Sequence, residues 1–372
     1  MIHVDAPTGI QRSLYLGSSP GRHPHTVLRQ LHDYLPADTP AMGAGNPVTT
    51  LEARVAELLG KQAALFLPTG KMAQQVALRI HADETHHRVF AAHPTCHLVH
   101  HELDGYAQVH GLDFTQLGQA DRLITEADIR GLGAPVSTVV WELPQREIGG
   151  ILPDWHSLNR QVAAARDRDA RTHLDGARLW EAQTYYDRPL AEIASLFDSV
   201  YVSLYKTLQA PRGAVLAGSA DFIDRARAWS IRLGGESAGN WPLAAAGLFA
   251  LDHVLPRLRL YRDHALTLAK ALNATGLART TPDSPQTPFF FVTLPVSAQA
   301  ASRAHTELCS ATGLELFRLL RTTEHPRTCS FEVSVAEAAT TVEADEIARF
   351  TSRLVRRAQE LDTRAQVLDT FS

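Results

Sequence analysis

Short apolar runs recur between residues 62 and 218, most of them separated by segments of helical spacing, and this alternation constrains the fold more than any other feature. The runs are QAALFLP (62–68), RVFAA (88–92), STVVWEL (137–143), RTHLD (171–175), SVYVSLY (199–205) and GAVLAG (213–218). Strands that read as nearly continuous apolar runs are buried on both faces, and intervening helices supply the crossovers that parallel neighbours need. The pattern predicts an α/β large domain over 46–255, with a mainly parallel sheet sandwiched by helices. Leu51, Val55, Leu58 and Leu59 mark a helix behind Thr49/Thr50 caps that Gly60 closes. KMAQQVALRIHA continues as a second helix, and TEADIRGL opens on a Thr125–Asp128 capping pair. A helix around 97–104, a strand near 107–109 and one long helix over 242–272 complete this part. FFFVTLP, a helix near 297–312, TCSFEVSV and a final helix from 343 suggest a smaller α+β domain over 256–372. Residues 1–45 read as an N-terminal arm with a short helix near Thr26–Tyr34.

With 372 residues, 45% of them apolar, the chain can bury a full core. A net charge of -4 shows no basic bias toward nucleic acid or an acidic membrane. No run is long enough to span a bilayer, the N-terminus has no signal-peptide core, and Cys96, Cys309 and Cys329 form no disulfide framework. A soluble cytoplasmic protein is expected. Lysine plus arginine totals 36, yet the lysines are only Lys61, Lys71, Lys206 and Lys270. Arginine stays protonated in proteins, whereas a lysine amine can lose its proton and act as a nucleophile. Lys61 and Lys270, which flank helical segments, read as surface lysines.

Ligands of open α/β sheets gather at the carboxyl ends of strands, and the chain offers candidates at three such ends. LPTGKMAQ is a strand, a Thr69-Gly70 turn and a helix start, where backbone N–H groups favour an anion and Lys71 adds charge. A plain turn gives the same pattern. THLDGARLW puts Asp175 at a strand end, where it is a helix cap or a functional carboxylate. SVYVSLYK ends in Lys206, where desolvation would lower the amine's pKa and favour Schiff-base chemistry. Together the three fit one cofactor, pyridoxal phosphate (PLP): phosphate on the helix start, pyridinium nitrogen on Asp175, aldehyde on Lys206.

The segments LEARVAELLGKQAALFLPTGKMAQQVAL, HLDGARLWEA, SLYKTLQAPRGAVLAGSADFIDRARAW and LGG…LAAAGLFAL resemble the threonine aldolase / β-eliminating lyase family of fold type I PLP enzymes. The resemblance covers about 47–255 and implies a PLP-dependent transferase-like fold. It implies that Lys206 forms the internal aldimine, that Asp175 holds the ring nitrogen protonated, and that Thr69, Gly70 and Lys71 contact the phosphate. Arg178 and Arg327 would bind the substrate carboxylate, and His97, in CHLVHHE, would stack on the ring with His100 as a further proton carrier. The family's E-N-T-H-N loop is ELPQREIGG here, so Gln145 stands where a second histidine is expected, and it would orient a hydroxyl.

The implied reaction is cleavage of Cα–Cβ in a β-hydroxy-α-amino acid to glycine and an aldehyde. The alternative is β-elimination or racemisation at the same site, with Lys206 as base. A homodimer or homotetramer is implied, acting on a small amino acid, with no nucleic-acid or membrane partner. HPTCHLVHHE (93–102) also raises a metal reading through His93, Cys96, His97, His100, His101 and Glu102. Beside Lys206 and Asp175 the stretch reads instead as the cover over one face of the cofactor ring, with no metal expected.

Overall fold

In the computed structural model, which describes residues 2–4, 10–18, 23–236 and 238–369, the six apolar runs and the more polar segment DFTQ (113–116) form a seven-stranded sheet. Its strands are β1 (Ala63–Leu67), β2 (Val89–Ala92), β3 (Asp113–Gln116), β4 (Thr138–Glu142), β5 (Arg171–Gly176), β6 (Ser199–Ser203) and β7 (Ala214–Gly218). Their spatial order is β1-β7-β6-β5-β4-β2-β3. β7 runs antiparallel to both its neighbours, and the other pairings are parallel. β6 and β7 are buried along their whole length, as strands covered on both faces must be.

The chain divides into two compact units, residues 24–256 and residues 1–23 with 257–372. In the larger unit, helices α1 (Pro24–Tyr34) and α2 (Pro47–Leu59) come first. α2 begins at Asn46, whose side chain accepts from the Val48 and Thr49 N–H groups, because Pro47 takes the first helical position. The cap is therefore Asn46 and not Thr49 or Thr50. Gly60 ends the helix at φ 59, a left-handed conformation that favours glycine. Helix α3 (Gly70–Thr85) lies on the sheet, packing Ala73, Val76, Ala77 and Ile80 against Leu65, Leu67, Tyr201 and Leu216. Helices α4 (Trp155–Arg166), α5 (Ala220–Arg232) and α6 (Trp241–His253) also belong to this unit. The Thr125–Asp128 capping box forms as the sequence suggests.

The single helix expected over 242–272 is broken. α6 stops at His253, a short 3-10 turn carries Pro256, and α7 (Leu258–Ala274) starts anew. Proline lacks the N–H and pushes its predecessor out of helical geometry. The smaller unit holds a five-stranded sheet. It contains β8 (Arg279–Thr281), β9 (Phe289–Leu294), β10 (Leu319–Thr322), β11 (Cys329–Ser334) and the edge strand Ile2–His3, paired antiparallel. Helices α7, α8 (Ala298–Thr312) and α9 (Ala344–Asp369) belong to this unit, whose core includes Phe289, Phe290, Phe317 and Phe331. No helix is long and apolar enough to cross a membrane among the described residues.

Candidate active site

The parallel register brings two carboxylates side by side. Glu142 ends β4 and pairs directly with Asp175 near the end of β5. Asp175 is buried; its Oδ2 accepts from Gln74 Nε2 at 2.7 Å and its Oδ1 from the Ala177 N–H at 3.0 Å. Lys206 lies in the connection from β6 to β7, just past the carboxyl end of β6. Burial, and then the Arg178 guanidinium, lower its amine to about 8, against the pull of Asp175 and Glu142. A fraction of the amine is therefore neutral near physiological pH, as a nucleophile requires. Burial first, and then the charge of Asp175, push the Glu142 carboxyl up to about 7.

The N-terminus of α3 adds an anion-binding edge. Thr69 caps the helix, its hydroxyl accepting from the Met72 N–H at 3.2 Å. Among the described residues nothing accepts from the Gly70 and Lys71 N–H groups, which stay available to an anion. A methyl at Gly70 would lie 2.0 Å from the Tyr201 hydroxyl, so the helix approaches β6 this closely only with glycine there. The Lys71 ammonium donates to the His101 carbonyl at 2.7 Å; its backbone N–H is what it turns to the helix start.

His97 Nδ1 lies 2.9 Å from Glu102 Oε1, and Glu102 Oε2 accepts from Gln75 Nε2 at 2.7 Å. The buried carboxylate fixes the imidazole and selects the tautomer with hydrogen on Nδ1, leaving Nε2 to exchange a proton. His100 is not brought into this cluster: it is exposed, and its Nε2 donates to the Pro94 carbonyl at 3.0 Å. His93 Nε2 meets the Arg122 carbonyl and His101 Nε2 meets Glu147. With each ring directed to its own acceptor, no three His, Cys, Asp or Glu side chains converge as a metal-ligand set among the described residues. The helix expected over 97–104 is a single turn, His97–His100, because Leu103 and Asp104 adopt φ 50 and 53. The strand expected near 107–109 is replaced by another helical turn, Gly105–Gln108.

Gln145 is buried, with Nε2 3.4 Å from Thr95 Oγ1 and 3.3 Å from Glu142 Oε2. Arg178 is buried with its Nε 3.6 Å from Glu181 Oε1, and Glu181 also accepts from the Thr207 hydroxyl. Arg327 lies in the smaller unit, exposed on the turn between β10 and β11. Sequence reasoning missed Gln74, the Gln75–Glu102 support of His97, and Glu142. Two signals were present: STVVWEL and RTHLD both carry an acid at the strand end, and adjacent amides interrupt an otherwise apolar helix after the TG turn.

Residues 27–295 match the family model described as Beta-eliminating lyase. A solved structure from Listeria monocytogenes, provisionally named an L-allo-threonine aldolase, superposes with a TM-score of 0.87 at 35% identity, covering 94% of this chain and 97% of that one. An uncharacterized protein of Caenorhabditis elegans is 35% identical over 62% of this chain, an alignment that spans 57% of its own length. The low-specificity L-threonine aldolase 1 of Arabidopsis thaliana is 30% identical over 71% of this chain and 76% of its own.

Proposed function

Because the chain belongs to the beta-eliminating lyase family and has the fold of the fold type I PLP enzymes, we propose that it is a PLP-dependent lyase. It cleaves Cα–Cβ of a β-hydroxy-α-amino acid to glycine and an aldehyde. The observation that carries this reading is the cluster at the carboxyl ends of the central strands β4, β5 and β6. There the Lys206 amine, lowered to about 8, stands in the field of Asp175 and Glu142, and α3 begins nearby on its Thr69 cap. The residues fit PLP. Asp175 would pair with the pyridine nitrogen, Lys206 would condense with the aldehyde, and Thr69 with the Gly70 and Lys71 N–H groups would hold the phosphate. Gln74 supports the fit: one of its polar atoms grips Asp175, and its Oε1 is buried with no partner among the described residues. When bound, PLP supplies an electron sink for the pair left at Cα.

The chain's own residues do the rest. Arg178 grips the substrate carboxylate and so sets which bond at Cα is presented for cleavage. His97, aimed by Glu102, would lie over the ring and moves a proton at Nε2. Gln145 orients the β-hydroxyl, while His100 stays a surface histidine. One observation favours a second reading: an amide at 145 cannot take a proton at neutral pH. Lys206 as base would then give β-elimination or racemisation. A cytoplasmic homodimer or homotetramer completes the proposal, in line with the family resemblance and with the thiols Cys96, Cys309 and Cys329 all free and buried.

The test is spectroscopic and chemical. Purified protein with PLP should show a visible absorbance that borohydride removes, and Lys206→Ala should lack it. Assays on β-hydroxy amino acids should release glycine and aldehyde. Pyruvate and ammonia from serine, without glycine from any β-hydroxy amino acid, would decide for the second reading.

A further inference from the structure

We propose, resting on the lyase reading above, that Glu142 takes the proton from the substrate's β-hydroxyl and returns one, in place of a histidine at position 145. The loop that follows β4 is built around this carboxyl. Gln145 Nε2 lies 3.3 Å from Glu142 Oε2, and the Arg146 backbone N–H lies 3.3 Å from Oε1. Both donors hold the side chain at the strand end, where its register partner is Asp175. The charged and titratable groups that face it come from every neighbouring segment: Asp175 on β5, Lys206 after β6, and His97 and Cys96 after β2. Glu142 is thus set among the groups assigned to the reacting centre. Burial and the Asp175 charge bring it to about 7, so near neutrality both its protonation states are populated, as a group that accepts and returns a proton requires.

A second observation is independent of charge. A cavity of about 10 Å³, room for about one water, adjoins Glu142 and Gln145 and is bounded by Leu123, Ile124, Pro153 and Gln161. Those four residues also line a larger cavity of about 470 Å³ that reaches Asp154 and Tyr185. The two spaces share a wall, and neither is lined by Lys206 or Asp175. The smaller one sets a water-sized space against the carboxyl, on a side that neither Lys206 nor Asp175 lines. In the step itself the O–H bond breaks and its proton goes to a Glu142 oxygen. The O–H electron pair becomes the second C–O bond of the aldehyde, and the Cα–Cβ pair stays with the glycine fragment, which takes one proton at Cα in return.

The experiment uses the full chain loaded with PLP and a β-hydroxy amino acid that it cleaves. Glu142→Gln should lower kcat by roughly a hundredfold or more and remove the acid limb of the kcat/KM profile near neutrality. Glu142→Asp should keep that limb. Gln145→His on the Glu142→Gln background should recover about tenfold, which a mere folding defect would not allow, and absence of recovery counts against the proposal. A readout without turnover comes from protein labelled with 13C-glutamate. One δ-carbon should titrate between about pH 6 and 8, far from the ordinary glutamate range, and be missing in Glu142→Gln. An unchanged acid limb in Glu142→Gln, or no such carbon, overturns the proposal and leaves His97 as the base. The two failures are distinct: no glycine from any substrate overturns the lyase reading, whereas glycine release with an unaltered limb overturns the role of Glu142 alone.

Discussion

Gln74 shows how much of the candidate site hangs on residues with no chemistry of their own. It is buried and donates to Asp175 at 2.7 Å, a bond to a charged acceptor worth about 1.5–3 kcal/mol. Gln74→Leu keeps the volume and removes the donor, so PLP should bind roughly tenfold to a hundredfold more weakly. A fluorescence titration giving wild-type affinity would refute the positioning role. Glu102 acts on His97 in the same manner. Glu102→Gln should lower kcat about tenfold with KM nearly unchanged, since the carboxylate orients the imidazole without needing to touch substrate. Steady-state kinetics with kcat unaltered would sink that idea. Lys206 and Asp175 were legible in the sequence because each interrupts an apolar strand end with a charge. Gln74, Gln75 and Glu142 left only local signals, amides in an apolar helix and an acid at a strand end, and their roles were not legible because their partners lie on other elements: the Gln74–Asp175 bond joins α3 to β5.

Among elements, α2 and α3 show which local rules decide. Asn46→Ala removes an acceptor shared by the Val48 and Thr49 N–H groups and should cost about 1 kcal/mol, read as a lower denaturation midpoint. Gly70→Ala is a sharper test of how closely α3 approaches the sheet. Its methyl would fall 2.0 Å from the Tyr201 hydroxyl, and Tyr201 is buried, so the helix start or the ring must shift. Overpacking of this kind costs about 1–3 kcal/mol, and the displaced N–H groups should weaken PLP binding as well. Wild-type stability together with wild-type affinity would mean that the contact relaxes freely. Strand positions were legible here because buried strands need apolar runs, whereas the segment after β2 was not. Leu103 takes left-handed backbone that its residue type does not announce, and with Asp104 it makes one expected helix into two separate turns. Pro256 did announce a break, yet the periodic apolar pattern on either side masked it.

Across the whole molecule, buried histidines make acid the weak side of the stability profile. His173, on β5 in the larger unit, is held down to about 3 by burial and by nearby His81. Its Nδ1 meets Ser199 Oγ at 2.7 Å, while Nε2 has no partner among the described residues. In the smaller unit burial holds His305 at about 4, and its Nε2 accepts from the Leu316 N–H at 3.0 Å, a bond that only the neutral ring can make. Both folded values lie below the ordinary 6.5, so the unfolded chain binds protons that the folded chain refuses. Stability from each is complete above pH 6.5 and declines as pH falls toward 4 and 3, by about 1.4 kcal/mol per pH unit per histidine. Glu142 works in the opposite sense. Its folded value, about 7, lies above the unfolded one, so the folded chain gains a proton first and is favoured as pH falls from 7 toward 4.5, offsetting about one histidine over that window. Wild-type protein without PLP should therefore lose stability gently between about pH 6.5 and 5. His173→Asn should flatten the loss, and Glu142→Gln should steepen it by up to about 1.4 kcal/mol per pH unit. Urea midpoints measured across that range decide it. If Glu142→Gln follows the wild-type slope, the carboxyl is already ionised in the resting protein, and a proton held at that strand end is excluded.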